Sequence, residues 1–307
     1  MSVAPATFIV GHPRSGTSLL RALLDSHPDL LVLPFETHLF DWARSKDPVT
    51  ALLARTRLWP TLHGHRPSIS RDEVEDVLTR AFSQAREPRA RILALVEGWR
   101  ELTGARQETR WVEKTPRHLY ETNILLKWFP AEVRVLVMRR DPRDVIASAL
   151  KQDPSRTIFQ MAVTGRLAHQ VVTEHERDPR FSVVGYEGLV RDPVGTMRTV
   201  CQFLGVPYDP VVVEPTVLGA EYSGNSRFDP ALIGVSEAAV GRYRDLLSGP
   251  RLQKAETLLA PVLSAGGYAP TSPSPGSRHP ITGAAITIIL RSGLWRSRAL
   301  RAAFGGA

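Results

Sequence analysis

Gly11-His12-Pro13-Arg14-Ser15-Gly16-Thr17-Ser18 is the stretch that decides the fold of this chain. Before it, Thr7-Phe8-Ile9-Val10 reads as a buried strand, and after it Leu19-Leu20-x-x-Leu23-Leu24 has the spacing of one helix face. The eight residues are therefore the turn of a strand–turn–helix unit. In such a turn the glycines let the backbone approach an anion, and the N–H groups and dipole at the helix start favour negative charge. The triphosphatase pattern G-x-x-x-x-G-K-[ST] lacks only its lysine here, because Thr17-Ser18 follows Gly16 directly and Arg14 sits inside the loop. A phosphate-bearing ligand other than ATP is implied.

A second unit of the same kind lies downstream. Val133-Arg134-Val135-Leu136-Val137-Met138 reads as a buried strand, and Arg139-Arg140-Asp141-Pro142-Arg143-Asp144-Val145-Ile146-Ala147-Ser148 turns into a helix. A planar, permanently charged guanidinium suits bidentate recognition of a phosphate, and a serine hydroxyl adds a neutral donor. Taken singly, each segment has a plainer reading: a Gly-rich turn made for tight packing, or an Arg140–Asp141 surface ion pair at a helix start. Two phosphate sites in one chain with a lysine between them weigh against coincidence.

Together with Asp25-Ser26-His27-Pro28, the first segment resembles the donor-binding segment of the sulfotransferases that use 3′-phosphoadenosine 5′-phosphosulfate (PAPS). The resemblance continues in order along the chain over roughly residues 7 to 268. It implies that Arg140 and Ser148 grip the donor's 3′-phosphate. Glu113-Lys114-Thr115-Pro116 is similar to the family segment whose lysine meets the donor near its bridging oxygen. Tyr186-Glu187-x-Leu189-Val190-x-x-Pro193 and Phe203-Leu204-Gly205-Val206 resemble the elements that flank the adenine. Gly224-Asn225-Ser226 followed by Gly241-Arg242-Tyr243-Arg244 resembles the loop that closes over the donor, which brings Ser226 to the site. The implied fold is α/β, P-loop-like and three-layered, with a mainly parallel central sheet and helices on both sides.

Transfer to an acceptor hydroxyl or amine needs a base. Glu36, in Pro34-Phe35-Glu36-Thr37-His38, follows the apolar run 30–33 and so falls at a strand's carboxyl end, where open α/β sheets bind ligands. It resembles the glutamate base of the tyrosylprotein branch. His118 is the second candidate, Glu113 the third and His38 the fourth. Arg14, Lys114 and the loop amides from Ser15 to Ser18 are the groups expected to stabilise charge on the leaving phosphate. No Cys cluster or H-E-x-x-H spacing is present, and no metal is expected.

At 307 residues and 43% hydrophobic, the chain has ample size for one core. The expected organisation is a sulfotransferase domain over 1–270, a linker over 271–280 and a basic amphipathic tail over 281–307. Within the domain, 39–110 reads as a helical insertion that covers the acceptor pocket, with helical spacing at Val74, Val77, Leu78, Ala81 and at Ile92, Leu93, Val96, Trp99. Its aromatics Phe40, Trp42, Trp59 and Trp99 divide between core packing and an apolar acceptor site. The single cysteine and the absence of a leader pattern at the start give a cytoplasmic expectation.

The tail holds five arginines from Arg278 onward and no acidic residue, so it supplies five of the net +8 charges and leaves the body at +3. Its apolar run 281–290 is shorter than the ~20 residues a membrane span needs. An interfacial helix on a membrane surface and a helix packed on the body or a second subunit are both open readings. Nucleic acid is not an expected partner, because no recognition motif accompanies the charge. The acceptor is expected to be a small molecule, lipid or glycan, and the oligomeric state is not specified. Two rival functions share these features: a small-molecule kinase using ATP, and a non-catalytic, membrane-associated nucleotide-binding module.

Overall fold

A computed structural model of the chain describes residues 5–40, 49, 69–130, 133–222 and 234–271. The anticipated strand at the start, β1 (Ala6–Gly11), is buried along its whole length and takes the middle of a five-stranded sheet. It is followed by α1 (Thr17–Asp25), β2 (Leu30–Val32), α2 (Arg71–Gln84), α3 (Pro88–Thr103) and β3 (Arg110–Lys114). A 3₁₀ turn (Pro116–Glu121) and α4 (Thr122–Trp128) lead to β4 (Arg134–Arg139), then α5 (Pro142–Gln152), α6 (Ile158–Glu174) and β5 (Phe181–Gly185). The short α7 (Tyr186–Arg191) and α8 (Pro193–Leu204) follow, and α9 (Tyr243–Leu246) and α10 (Gly249–Gly266) close the described domain.

The strand order is β2-β3-β1-β4-β5, and every pairing in this sheet is parallel. From β1 the chain moves outward to β2, returns to insert β3, and then crosses to β4 and β5 on the other side. Parallel crossovers are right-handed, so α1 and the α5–α6 pair lie on opposite faces of the sheet. The reversal beside β1 opens a crevice at the strands' carboxyl ends, the place where open α/β sheets take ligands. Gly11, Lys114 and Arg139 end the three central strands there. An aromatic cluster of Phe8, Trp111 and Phe129, with centroids 5.3 to 5.7 Å apart and Trp111 edge-to-face with both phenylalanines, fixes β1 to β3 and to the end of α4.

Both helices expected between 69 and 110 are present. A capping box starts α2: Ser70 accepts from the Glu73 amide at 3.2 Å, and the Glu73 carboxylate accepts from the Ser70 amide at 2.7 Å. Trp99 belongs to the core, packed edge-on to Phe35 at 5.9 Å. Trp42, Trp59 and the remainder of the insertion, Ser226, and the linker and tail beyond Thr271 lie outside the described residues.

Candidate active site

The loop between β1 and α1 is tightened by the Ser15 amide, which donates to the His12 carbonyl at 3.1 Å. That amide is thereby spent inside the loop. The loop amides placed to face an anion are instead those that head α1, at Gly16 and Thr17. Gly16 has φ +103°, and a Cβ there would meet the Tyr186 ring at 2.5 Å, so this position is held to glycine by conformation and by contact. Tyr186 directly follows the carboxyl end of β5, heads α7 and lies under the loop. Arg14 takes φ +76°, an uncommon state for a residue with a side chain, which turns its guanidinium across the loop.

There Arg14 Nε donates to Ser148 Oγ at 3.0 Å, joining the two phosphate motifs across 134 residues. Arg140 completes the junction. It donates through NH1 to the Arg14 carbonyl at 3.2 Å and through NH2 to the Ala239 carbonyl, and it lies 4.3 Å over the Tyr186 ring. Asp144, one turn into α5, is 3.8 Å from Arg140 and accepts the amides of Gly241 and Tyr243 at 2.8 Å each. The segment before the last helices is thereby anchored to the second phosphate motif. Asp141 is the N-cap of α5 and pairs with Arg143, not with Arg140.

Alternation along β3 separates the neighbours Glu113 and Lys114. Lys114 reaches the phosphate loop, donating to Ser18 Oγ at 3.3 Å and to Glu36 Oε1 in a short ion pair. Burial holds the Lys114 ammonium below its usual range, and Glu36 offsets this only in part. For Glu36, burial favours the neutral acid, but Lys114 and then His38, whose Nε2 is 3.4 Å from Oε2, outweigh it and hold the carboxyl well below its usual range. Arg21, buried beneath Glu36 and donating to the Pro34 carbonyl, adds positive field.

Glu113 points the other way and is fully buried. Its Oε1 accepts from the Thr37 amide at 3.3 Å, Thr37 Oγ1 at 2.9 Å and Thr115 Oγ1 at 2.5 Å. Oε2 faces His118 Nδ1 at 3.0 Å. Burial alone would raise Glu113, yet His118 and the two hydroxyls keep it ionised, so Nδ1 carries the proton and donates. His118 Nε2 is left buried without a hydrogen-bond partner, beside the Phe40 ring at 5.1 Å. Four bonds consume Glu113, the third base candidate. It is a hub tying the 36–38 loop to the 113–118 segment.

The structure thus brings together Arg14, Ser15, Gly16, Thr17, Ser18, Arg140, Ser148 and Tyr186, with Glu36, Lys114 and His38 beside them and His118 one layer behind. Sequence reasoning missed Arg21, Asp144 and the roles of Thr37 and Thr115, whose partners are distant in the chain. Ser15 Oγ and Arg140 Nε are likewise buried without partners. Unpaired buried polar groups cost ~1–3 kcal/mol each, and two of them at adjoining phosphate motifs mark a site shaped for a polyanion.

Residues 5–210 match the model of the sulfotransferase family. The chain belongs to the sulfotransferase family. Its reaction class is therefore sulfuryl transfer. It is 25% identical to protein-tyrosine sulfotransferase 1 of Danio rerio over 294 residues, covering 90% of this chain and 76% of that protein. The protein-tyrosine sulfotransferase of Drosophila melanogaster is 26% identical over 294 residues, again 90% of this chain but 54% of that longer protein. In fold the sulfotransferase resembles the sulfotransferase domain from the curacin biosynthetic pathway, with a TM-score of 0.60 at 19% identity, over 88% of this chain and 99% of that one. Among the described residues no helix is long and apolar enough to cross a membrane, and no three His, Cys, Asp or Glu residues gather as a metal site.

Proposed function

We propose that this sulfotransferase takes PAPS as its donor and transfers the sulfuryl group to a hydroxyl or amine of a small-molecule, lipid or glycan acceptor, without a metal. One observation carries the reading. Arg14, Ser148 and Arg140 converge beside the helix-start loop, so two phosphate sites adjoin. The amides of Gly16 and Thr17 would hold the 5′-phosphate, and Arg140, Ser148 and Arg14 the 3′-phosphate. Tyr186, already stacked under Arg140, would border the adenine. Ser226, the remaining donor contact implied by family resemblance, belongs to the same reading. The reading places the reaction in the cytoplasm, compatible with a single, free and buried Cys201. It also leaves the basic tail to meet a membrane surface or the enzyme body.

Glu36 serves as the base in this proposal. Its side chain is 36% exposed next to Lys114, whereas that of His118 is 4% exposed behind Phe40. While Lys114 holds Glu36, the carboxylate is a poor base. When Lys114 turns to the bridging oxygen of the donor, the main positive charge on Glu36 is withdrawn and its proton affinity rises. The same lysine movement therefore stabilises the leaving phosphate and readies Glu36 to accept the acceptor's proton. His38 keeps Glu36 oriented, while Arg21, holding the Pro34 carbonyl, and the Glu113 hub fix the loop that carries it.

The test is turnover of ³⁵S-labelled PAPS against an acceptor panel by the wild-type chain and by Glu36→Gln. Turnover should fall by ~10²–10⁴ with donor affinity retained, the contribution expected of a positioned base. Undiminished turnover in the variant would transfer the role to His118.

A further inference from the structure

Ser18, Arg21 and Asp25 stand at intervals of three and four along α1, which puts them on one stripe of the helix. Each meets a distant part of the chain. Ser18 Oγ accepts from Lys114 at 3.3 Å, and Arg21 donates to the Pro34 carbonyl. Asp25 accepts from Thr216 Oγ1 at 2.8 Å and from the Gly219 amide at 3.2 Å. Thr216 and Gly219 belong to a hairpin of two short strands, β6 (Thr216–Val217) and β7 (Ala220–Glu221), turned by Leu218 and Gly219 at φ +54° and +79°. Positive φ at both turn residues is the two-residue geometry that matches the twist of paired strands. Asp25 thus pins the turn to the far end of α1. From there β7 leads the chain to Tyr222, beside Arg21, where the Tyr222 amide closes on the Pro215 carbonyl at 3.0 Å.

Arg21 and Tyr222 are both buried with donors to spare. Arg21 is 4% exposed, yet among the described residues no carboxylate comes within ion-pair distance of it, and the Pro34 carbonyl is its one hydrogen-bond partner. Burial holds the guanidinium below its usual range, and Tyr222, Asp25 and Glu36 are the ionisable groups that act against this. Tyr222 is 8% exposed, and its hydroxyl has no hydrogen-bond partner among the described residues. Burial pushes that hydroxyl up to about 12 against the pull of Arg21 and Arg14, so it stays protonated and can donate. A buried guanidinium without an ion pair, with an unused phenol beside it, is unfavourable until an oxyanion meets both.

Side chains on a helix lean toward its N-terminus, so Arg21 covers the turn that carries Ser18 and aims back toward the phosphate loop. Donors therefore follow one another along α1. The amides of Gly16 and Thr17 come first, then Ser18 with Lys114, then Arg21 with Tyr222, about 4.5 Å beyond Ser18 at 1.5 Å per residue. A phosphosulfate presents its parts in the same order: phosphate, bridging oxygen, sulfuryl. We propose, resting on the PAPS reading above, that Arg21 and Tyr222 form the subsite for the sulfuryl group of the donor, the guanidinium and the phenol hydroxyl donating to its peripheral oxygens. In the transfer, the acceptor oxygen or nitrogen bonds to sulfur as the bond from sulfur to the bridging oxygen breaks. The acceptor's proton passes to Glu36, and the electron pair leaves on the bridging oxygen beside Lys114. The three peripheral oxygens stay on sulfur throughout, held by donors already in place.

The experiment compares PAPS with 3′-phosphoadenosine 5′-phosphate, which lacks the sulfuryl group, by calorimetric titration of the full chain without acceptor. The ratio of the two Kd values is the quantity read. Tyr222→Phe removes a hydroxyl that bonds no described residue, so bisphosphate affinity and melting temperature should stay at the wild-type values while PAPS binding weakens about 2- to 10-fold. Arg21→Gln also loosens the Pro34 carbonyl, which both nucleotides feel alike, and its ratio should shift by about 10- to 150-fold against PAPS. An unchanged ratio in either variant, whether from undiminished binding or from equal weakening of both ligands, would overturn the proposal. Failure of the wild-type chain to bind either nucleotide would overturn the donor reading and the subsite with it, a result distinct from binding both without change in the variants.

Discussion

Replacing Arg140 with alanine separates the recognition of one phosphate from every other effect of the change. In the structure Arg140 holds two backbone carbonyls, of Arg14 and Ala239, stacks on Tyr186 at 4.3 Å and balances Asp144 at 3.8 Å, with Nε to spare. Truncation therefore damages the site as well as the proposed 3′-phosphate contact. Loss of neighbouring order weakens all nucleotides alike. A charge-assisted hydrogen bond to the 3′-phosphate is worth ~1.5–3 kcal/mol, and only a ligand bearing that phosphate loses it. The relevant quantity is thus the ratio of Kd values for adenosine 5′-phosphate and 3′-phosphoadenosine 5′-phosphate, measured calorimetrically in wild type and variant. At 1.4 kcal/mol per tenfold, that ratio should fall by about 10- to 150-fold in Arg140→Ala. An unchanged ratio, with both ligands weakened equally, would refute the assignment of Arg140 to the 3′-phosphate.

Two further outcomes follow from the loop. Gly16→Ala must adopt φ +103° and push the Tyr186 ring from a 2.5 Å approach, so it should lose at least ~1–3 kcal/mol of stability and most donor binding, read by thermal melts and bisphosphate titration. His12 is buried between the Pro13 carbonyl at 2.8 Å and Thr164 Oγ1 at 2.9 Å, and burial lowers it from 6.5 to about 4. Between those values the unfolded chain binds the proton and the folded one does not. The histidine's contribution to stability is therefore complete above pH 6.5 and is lost as pH falls toward 4. The melting temperature should drop across that window, and the drop should be shallower in His12→Gln; an identical slope in the variant would remove His12 as its source.

The parts of this molecule that sequence made legible are those coded locally. A strand, a Gly-bounded turn and a helix occupy 18 consecutive residues, Thr7 to Leu24, and the Arg139-to-Ser148 unit is equally compact, so period and turn chemistry sufficed for both. Strand order was not legible from these units, because inserting β3 between β2 and β1 depends on which apolar faces meet after 70 or more residues. The same limit applies to Arg14 and Ser148: each was expected at a phosphate, but their mutual bond depends on the positive φ of Arg14 and on β1 pairing with β4. Glu113 shows a different failure. Adjacent to Lys114 it reads as a solvated charge or a base, while the alternation of β3 sends it into the core to be spent on Thr37, Thr115 and His118.

The central claim is that two adjoining phosphate sites select a 3′,5′-bisphosphorylated adenosine donor. Calorimetric titration of the full chain with 3′-phosphoadenosine 5′-phosphate, and separately with ATP plus magnesium, tests it most directly. The account predicts tight binding of the bisphosphate and weak binding of ATP that does not respond to the metal. Tight, magnesium-dependent ATP binding with little affinity for the bisphosphate would contradict it.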